Sequence, residues 1–256
     1  FYQFFLSYLF LSLLPSLESI SSNIVIYNKI ENNISKKIVG KSHDIKLLTT
    51  ALLSNGHVII EGVPGIAKTL LAKSFAESLK LEFKRIQLTP DMLPADITGT
   101  FVFNIKEQDF FFRKGPIFGN VILADEINRG IPKTQSALLE AMQEYQVTVE
   151  GKTHKLQKPF FVIATQNPIE MQGTYPLPEA QLDRFMFRIT MDLPSKEDEI
   201  NIINKFSTGD IFTNIDSIDL DLNKIHNEIL HNVKLSNEIK EYIVELLVVT
   251  RNDSEK

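Results

Sequence analysis

A chain of 256 residues with 43% hydrophobic side chains can bury the core of one large domain, or of one domain and a smaller companion, which excludes disordered and fibrous classes. Its 27 basic and 32 acidic residues give a net charge of -5, the wrong sign for a protein that coats nucleic acid, although a local basic channel stays open. There is no cysteine, so a disulfide framework and a thiolate metal site are excluded.

The first segment, FYQFFLSYLFLSLLP, is apolar as far as Pro15. It is too short to cross a bilayer comfortably, and no Lys or Arg precedes Lys29 to form the charged start of a signal peptide. Phe1 is not a start methionine, so the segment reads as the leader of a fragment, with a membrane contact as the competing reading. The polar, Asn-rich stretch from Ser21 to Asn33 reads as a linker. A helix is expected from Asp44 to Ser54, and the apolar run from His57 to Glu61 has the character of a short buried parallel strand.

Directly after that strand stands GVPGIAKT, Gly62 to Thr69. Beyond it Leu71, Phe75 and Leu79 recur at helical spacing, with Lys73, Glu77 and Lys80 on other faces. Strand, glycine-containing loop and helix form the context that a phosphate-binding loop requires. Gly62 and Gly65 allow backbone angles that turn successive N–H groups inward around phosphate oxygens, at the positive end of the following helix. Lys68 supplies a point charge to the outer phosphates, and the Thr69 hydroxyl is placed to hold magnesium. Ala67 departs from the usual pattern, which has a second glycine there. The position requires either a positive φ or merely lack of bulk, and a helical position tolerates alanine.

Further apolar runs follow at Phe83–Leu88, Val121–Ala124, Phe160–Ala164 and Phe185–Met191, with helices or loops between them. Such alternation predicts a parallel sheet with helices on both faces and a ligand site at the carboxyl ends of the strands. At one such end, Asp125 can reach a magnesium shell and Glu126 can polarise an attacking water, the Walker B arrangement; capping of the next helix is the structural alternative. The run ending in Thr165 leads into Gln166-Asn167-Pro168, where an amide can bond a γ-phosphate or the lytic water, or simply form a turn. Arg184 is either the ion-pair partner of Asp183 or, in a ring, a cation projecting into a neighbour's nucleotide site.

Five segments taken in order resemble the MoxR family of AAA+ ATPases: GVPGIAKT, RIQLTPDMLPADITG (85–99), FRKGPIFGNVILADEINRGIPKTQSALLEAMQE (112–144), PFFVIATQNPIE (159–170) and GTYPLPEAQLDRF (173–185). The resemblance runs from Ile38 to Arg251, and the family carries alanine at the Ala67 position and still binds ATP. It implies a P-loop AAA+ α/β core with a parallel five-stranded sheet flanked by helices, two β-hairpin insertions of the helix-2-insert branch, and a partial α-helical lid. It assigns Lys68 and Thr69 to Walker A, with Gly62, Pro64, Gly65, Ile66, Ala67 and Leu70 around the nucleotide. Asp125 and Glu126 become the Walker B pair, with Thr69 and Asp125 toward Mg2+; Asn167 becomes sensor 1 and Arg184 an arginine finger. Ile38, Val39 and Gly40 resemble the segment that frames adenine, and read equally well as a turn leading into a helix. The insertions fall at Thr98–Phe112 and Tyr145–Leu156, the second supported by period-two alternation over Val147-Thr148-Val149 and by Gly151 at its turn.

On this basis residues 1–33 are expected as leader and linker, 34–193 as the nucleotide-binding domain, and 194–256 as part of a helical lid. The family's lid carries a Ser-Pro-Arg-Ala segment with the sensor 2 arginine; the chain stops at Lys256 before one occurs, and Arg251 reads as a solvated helix end. The resemblance implies a cytoplasmic, hexameric ATPase using ATP and Mg2+ to remodel client proteins beside a von Willebrand factor A-type partner. A nucleic-acid motor is the first alternative, against which the acidic balance weighs, although Lys152, His154, Lys155 and Lys158 form a small basic group. A truncated chain that only binds nucleotide is the second.

Overall fold

A computed structural model describes residues 17–168, 173–208, 215–232 and 235–253. The apolar leader up to Ser16 and Glu170 of the fourth motif lie outside the described residues. The first helix, α1 (Leu17–Ile34), corrects the expectation of a linker over 21–33. Ile30 and Ile34 are fully buried and Ile26 and Tyr27 pack beside them, a helical period that the surrounding asparagines and serines obscure. Tyr27 Oη donates to Ser42 O at 3.3 Å, tying α1 to the start of α2 (Ser42–Leu53).

The expected strands are present as β1 (Val58–Glu61), β2 (Phe83–Gln87), β5 (Val121–Asp125), β8 (Phe161–Gln166) and β9 (Phe187–Thr190). They form one five-stranded sheet in the order β2-β5-β8-β1-β9, every pairing parallel. Alternate side chains of its central strands enter different cores. Val58, Ile60, Leu123 and Ile163 join α1, α2 and α3 (Lys68–Ser78) on one face. Ile59, Ile122, Ala124 and Val162 join α4 (Pro94–Thr98) and α5 (Pro132–Glu144) on the other. Burial on both faces is why these strands read as continuous apolar runs rather than alternating ones.

Two hairpins leave this body. β3 (Gly99–Asn104) pairs antiparallel with β4 (Asp109–Lys114), reaching two residues beyond the expected end at Phe112. β6 (Gln146–Val149) and β7 (Lys152–Lys155) turn at Glu150 and Gly151, whose φ values of 48° and 76° match a type I′ turn. The hairpins meet where the His154 ring stacks on Phe112, centroids 3.9 Å apart and planes 15° from parallel.

After β9 come α7 (Lys196–Thr208), α8 (Leu222–Asn232) and α9 (Asn237–Asp253), with the short α6 (Glu179–Leu182) lying before β9. Ser195 and Asp198 cap α7 reciprocally: Ser195 Oγ accepts from Asp198 N at 3.1 Å and Asp198 Oδ2 accepts from Ser195 N at 3.3 Å. The irregular segment 215–221 before α8 returns to the sheet's helical layer, where Ile218 N donates to Ser78 O at 2.7 Å. Among the described residues no helix is long and apolar enough to cross a membrane.

Candidate nucleotide-binding site

Parallel register brings the ends of β1, β5 and β8 together, and with them the loop after Glu61, the Asp125-Glu126 pair and Asn167. The root of the loop is held by Glu61, a buried carboxylate that accepts from Arg188 Nε at 2.8 Å and from Gln166 Nε2. At Gly62 a β-carbon would lie 2.3 Å from Ile66 Cδ1 and 2.8 Å from Met191 O, so only glycine fits. Gly65 has φ +88°, closed to most side chains. Lys68 Nζ donates to Gly62 O at 2.6 Å, which holds the ammonium inside the curl of the loop. Ala67 has φ 66° and ψ 25°, a left-handed conformation immediately before α3. The position therefore needs positive φ, and alanine occupies it against its own preference.

Asp125 is buried at the end of β5 with both carboxylate oxygens engaged. Oδ1 accepts from Thr165 Oγ1 at 2.6 Å; Oδ2 accepts from Arg85 Nε at 3.1 Å and from an Arg85 terminal nitrogen at 2.7 Å. The Thr165 hydroxyl also accepts from Glu126 N at 2.9 Å, so one oxygen fixes both members of the pair. Glu126 itself is left-handed, φ 56°, and its Oε2 accepts from Gln87 Nε2 at 2.8 Å and from Arg129 Nε at 3.2 Å. A non-glycine residue in this region is strained, as is common where side chains must point at chemistry. Asn167 is buried beyond β8.

The remaining expected residues divide. Ile38 lies in the core with Ile66, so only its backbone is on offer to a ring, whereas Val39 is half-exposed. Pro64 in the loop and Leu70 in the first turn of α3 are exposed. Arg184 precedes β9, and β9 runs parallel to β1 with Val58 opposite Phe187. It therefore stands at the amino end of the sheet, away from Lys68 and Thr69 at the carboxyl end of β1. There the guanidinium donates to Ala180 O at 3.2 Å and Gln143 Oε1 at 3.3 Å, on the wall of a cavity of about 470 Å3 shared with Asn55, His57 and Tyr145.

A family model described as "ATPase family associated with various cellular activities (AAA)" matches residues 57–187. Protein YeaC of Bacillus subtilis is 48% identical over 229 residues, covering 88% of this chain and 71% of that one. Chaperone MoxR1 of Mycobacterium tuberculosis is 40% identical over 245 residues, 91% of this chain and 62% of that one. The chain belongs to the MoxR family of AAA+ ATPases. Its fold is shared by a crystal structure of a candidate ATPase from Cytophaga hutchinsonii, with TM-score 0.79, 43% identity, and coverage of 93% of this chain and 74% of that one. This MoxR-family chain thus spans between about three-fifths and three-quarters of the lengths of these three proteins.

Three residues at the candidate site escaped the sequence reading: Arg85, Gln87 and Thr165. Arg85 and Gln87 share a face of β2, and Gln87 lies in register with Asp125. Arg85 and Gln87 at period two around the buried Ile86 were the available signal, blurred by the adjacent Lys84. Thr165 carried none, since a threonine in a buried strand is unremarkable by propensity.

Proposed function

We propose that this chain binds ATP with Mg2+ on the Gly62–Thr69 loop and hydrolyses it, and that rings of such subunits use the cycle to remodel partner proteins. The convergence of loop, paired carboxylates and Asn167 on neighbouring strand ends carries the reading. Lys68 and the loop N–H groups neutralise phosphate charge, Glu126 polarises the attacking water, and Asn167 orients it without adding charge. Thr69 and Asp125 offer hard oxygen donors, and among the described residues no three His, Asp or Glu side chains gather as a metal cage. That donor set fits Mg2+, which binds through one or two protein oxygens and nucleotide phosphates. The ion would supply charge neutralisation at the outer phosphates.

The assembly and setting belong to the same proposal: a hexameric ring in the cytoplasm, with Arg184 reaching the neighbour's site and a von Willebrand factor A-type protein as adaptor for clients. So does the division into an α/β domain over 34–193 and a lid over 194–256, with α1 now joined to the first. The nearness of names such as Chaperone MoxR1 supports protein remodelling. The test is a pair of variants. Lys68→Ala should abolish ATP binding in a calorimetric titration, whereas Glu126→Gln should bind ATP as the parent does and lose turnover at least about 100-fold. Unchanged affinity in the first, or undiminished turnover in the second, rejects the assignment.

A further inference from the structure

We propose that Arg85 is a resident counterion of Asp125 that a divalent cation must displace, so that metal arrival and release of the guanidinium are a single exchange. The proposal rests on the reading of Asp125 as part of the Mg2+ shell, and concerns a residue to which that reading gives no role. Two N–H groups of Arg85 converge on Asp125 Oδ2, at 3.1 and 2.7 Å. Oδ1 accepts from Thr165, so each carboxylate oxygen already has a partner and Oδ2 has both acceptor sites given to Arg85. A cation demanding near-octahedral oxygens at about 2.0–2.1 Å cannot share a lone pair already given to a guanidinium, and the two positive charges repel at that range.

The two partners of Asp125 are unequal in how readily they leave. Thr165 is buried and neutral, and its hydroxyl is also fastened to Glu126 N at 2.9 Å. It keeps Asp125 oriented whichever cation is present. The Arg85 side chain is 48% exposed against 11% for Asp125, so water is at hand to solvate the departing guanidinium while the carboxylate stays fixed on its strand. The exchange swaps one counterion of Asp125 for another, and Asp125 is never buried without a partner.

Mn2+ is the probe, followed by the electron paramagnetic resonance signal of the free ion at fixed, saturating ADP. Arg85→Gln should lower the Mn2+ concentration for half-saturation by roughly threefold to tenfold, the range for breaking a half-exposed charge-assisted pair. An unchanged or raised value overturns the proposal, as does loss of ADP affinity in EDTA, which would assign Arg85 to the nucleotide instead. Asp125→Asn in the same titration separates the levels of failure: if it leaves Mn2+ affinity intact, the reading of Asp125 as a metal ligand fails as well. A measurement on the unaltered protein needs no variant to fold. Phenylglyoxal should modify Arg85, quantified by peptide mass spectrometry, faster with ADP and Mg2+ than with ADP and EDTA. Equal or slower modification counts against exchange.

Discussion

Ala67 shows how alanine can stand in the candidate phosphate loop at a backbone angle that favours glycine. Its φ of 66° places the methyl group against the following carbonyl, at a cost of about 1–2 kcal/mol relative to a right-handed conformation. The helix that begins at Lys68, with Leu71 N donating to Ala67 O at 2.9 Å, holds the residue there. Ala67→Gly should therefore stabilise the protein by about 0.5–1 kcal/mol, the relief of strain being partly offset by the greater freedom of glycine in the unfolded chain. Ala67→Val, with a branched β-carbon at positive φ, should destabilise it. Urea midpoints of the three proteins check the order. The sequence raised the question at Ala67 without deciding it, because backbone angle is a property of the closed loop and not of the residue type.

At the scale of elements, His57 joins three of them. Its Nδ1 accepts from Val162 N at 3.1 Å, at the start of β8, and its Nε2 donates to Met142 O at 3.2 Å, in the last turn of α5. The bond accepted at Nδ1 needs the neutral ring, and complete burial pushes the pKa down from 6.5 to about 4, the bond donated to Met142 opposing only in part. Because the folded value is the lower one, the unfolded chain binds the extra proton between pH 6.5 and 4. This contribution is fully present above pH 6.5 and is lost as pH falls toward 4. Between pH 7.5 and 5 the protein should lose about 2 kcal/mol through His57 alone, a loss absent from His57→Gln. Urea unfolding of both proteins at the two pH values tests it; parallel losses would refute the assignment. From sequence, His57 was only the first residue of a strand. The elements that bury it lie 85 and 105 positions away, beyond the reach of any local pattern.

For the whole molecule, strand direction separates the two halves of the proposed chemistry. Four residues of β1, roughly 13 Å at ~3.3 Å each, lie between the end of the sheet where Arg184 stands and the end that carries Lys68. In the proposed ring, an arginine so placed would act on a neighbour's site rather than on its own. Arg184→Ala should leave ATP binding intact and lower turnover by roughly 10³-fold or more, as for arginine fingers in general. Mixing Arg184→Ala with Glu126→Gln should restore part of the turnover, since some interfaces then pair an intact Glu126 with an intact Arg184. Co-assembled mixtures as inactive as their parents would place Arg184 within its own subunit.

What the sequence determined by itself was the order of chemistry along the chain: GVPGIAKT after a buried strand, Asp125-Glu126 after a second, Asn167 after a third, and one turn-marked insertion at Gly151. These were legible because phosphate cradles and doubly buried parallel strands impose local residue types. The composition of α1 misled, because asparagine and serine say polar while burial follows only the period of Ile30 and Ile34. Tertiary structure alone decided strand order, and so which side chains meet. It set β2 beside β5, bringing Arg85 onto Asp125 and Gln87 onto Glu126 across separations of 40 and 39 residues. It also laid Phe112 of one hairpin against His154 of the other. Such contacts arise from the packing of whole layers: the central strands are uniformly apolar and carry no mark of which neighbour they take, so the identity of the contacts resides in the assembled sheet rather than in any one segment.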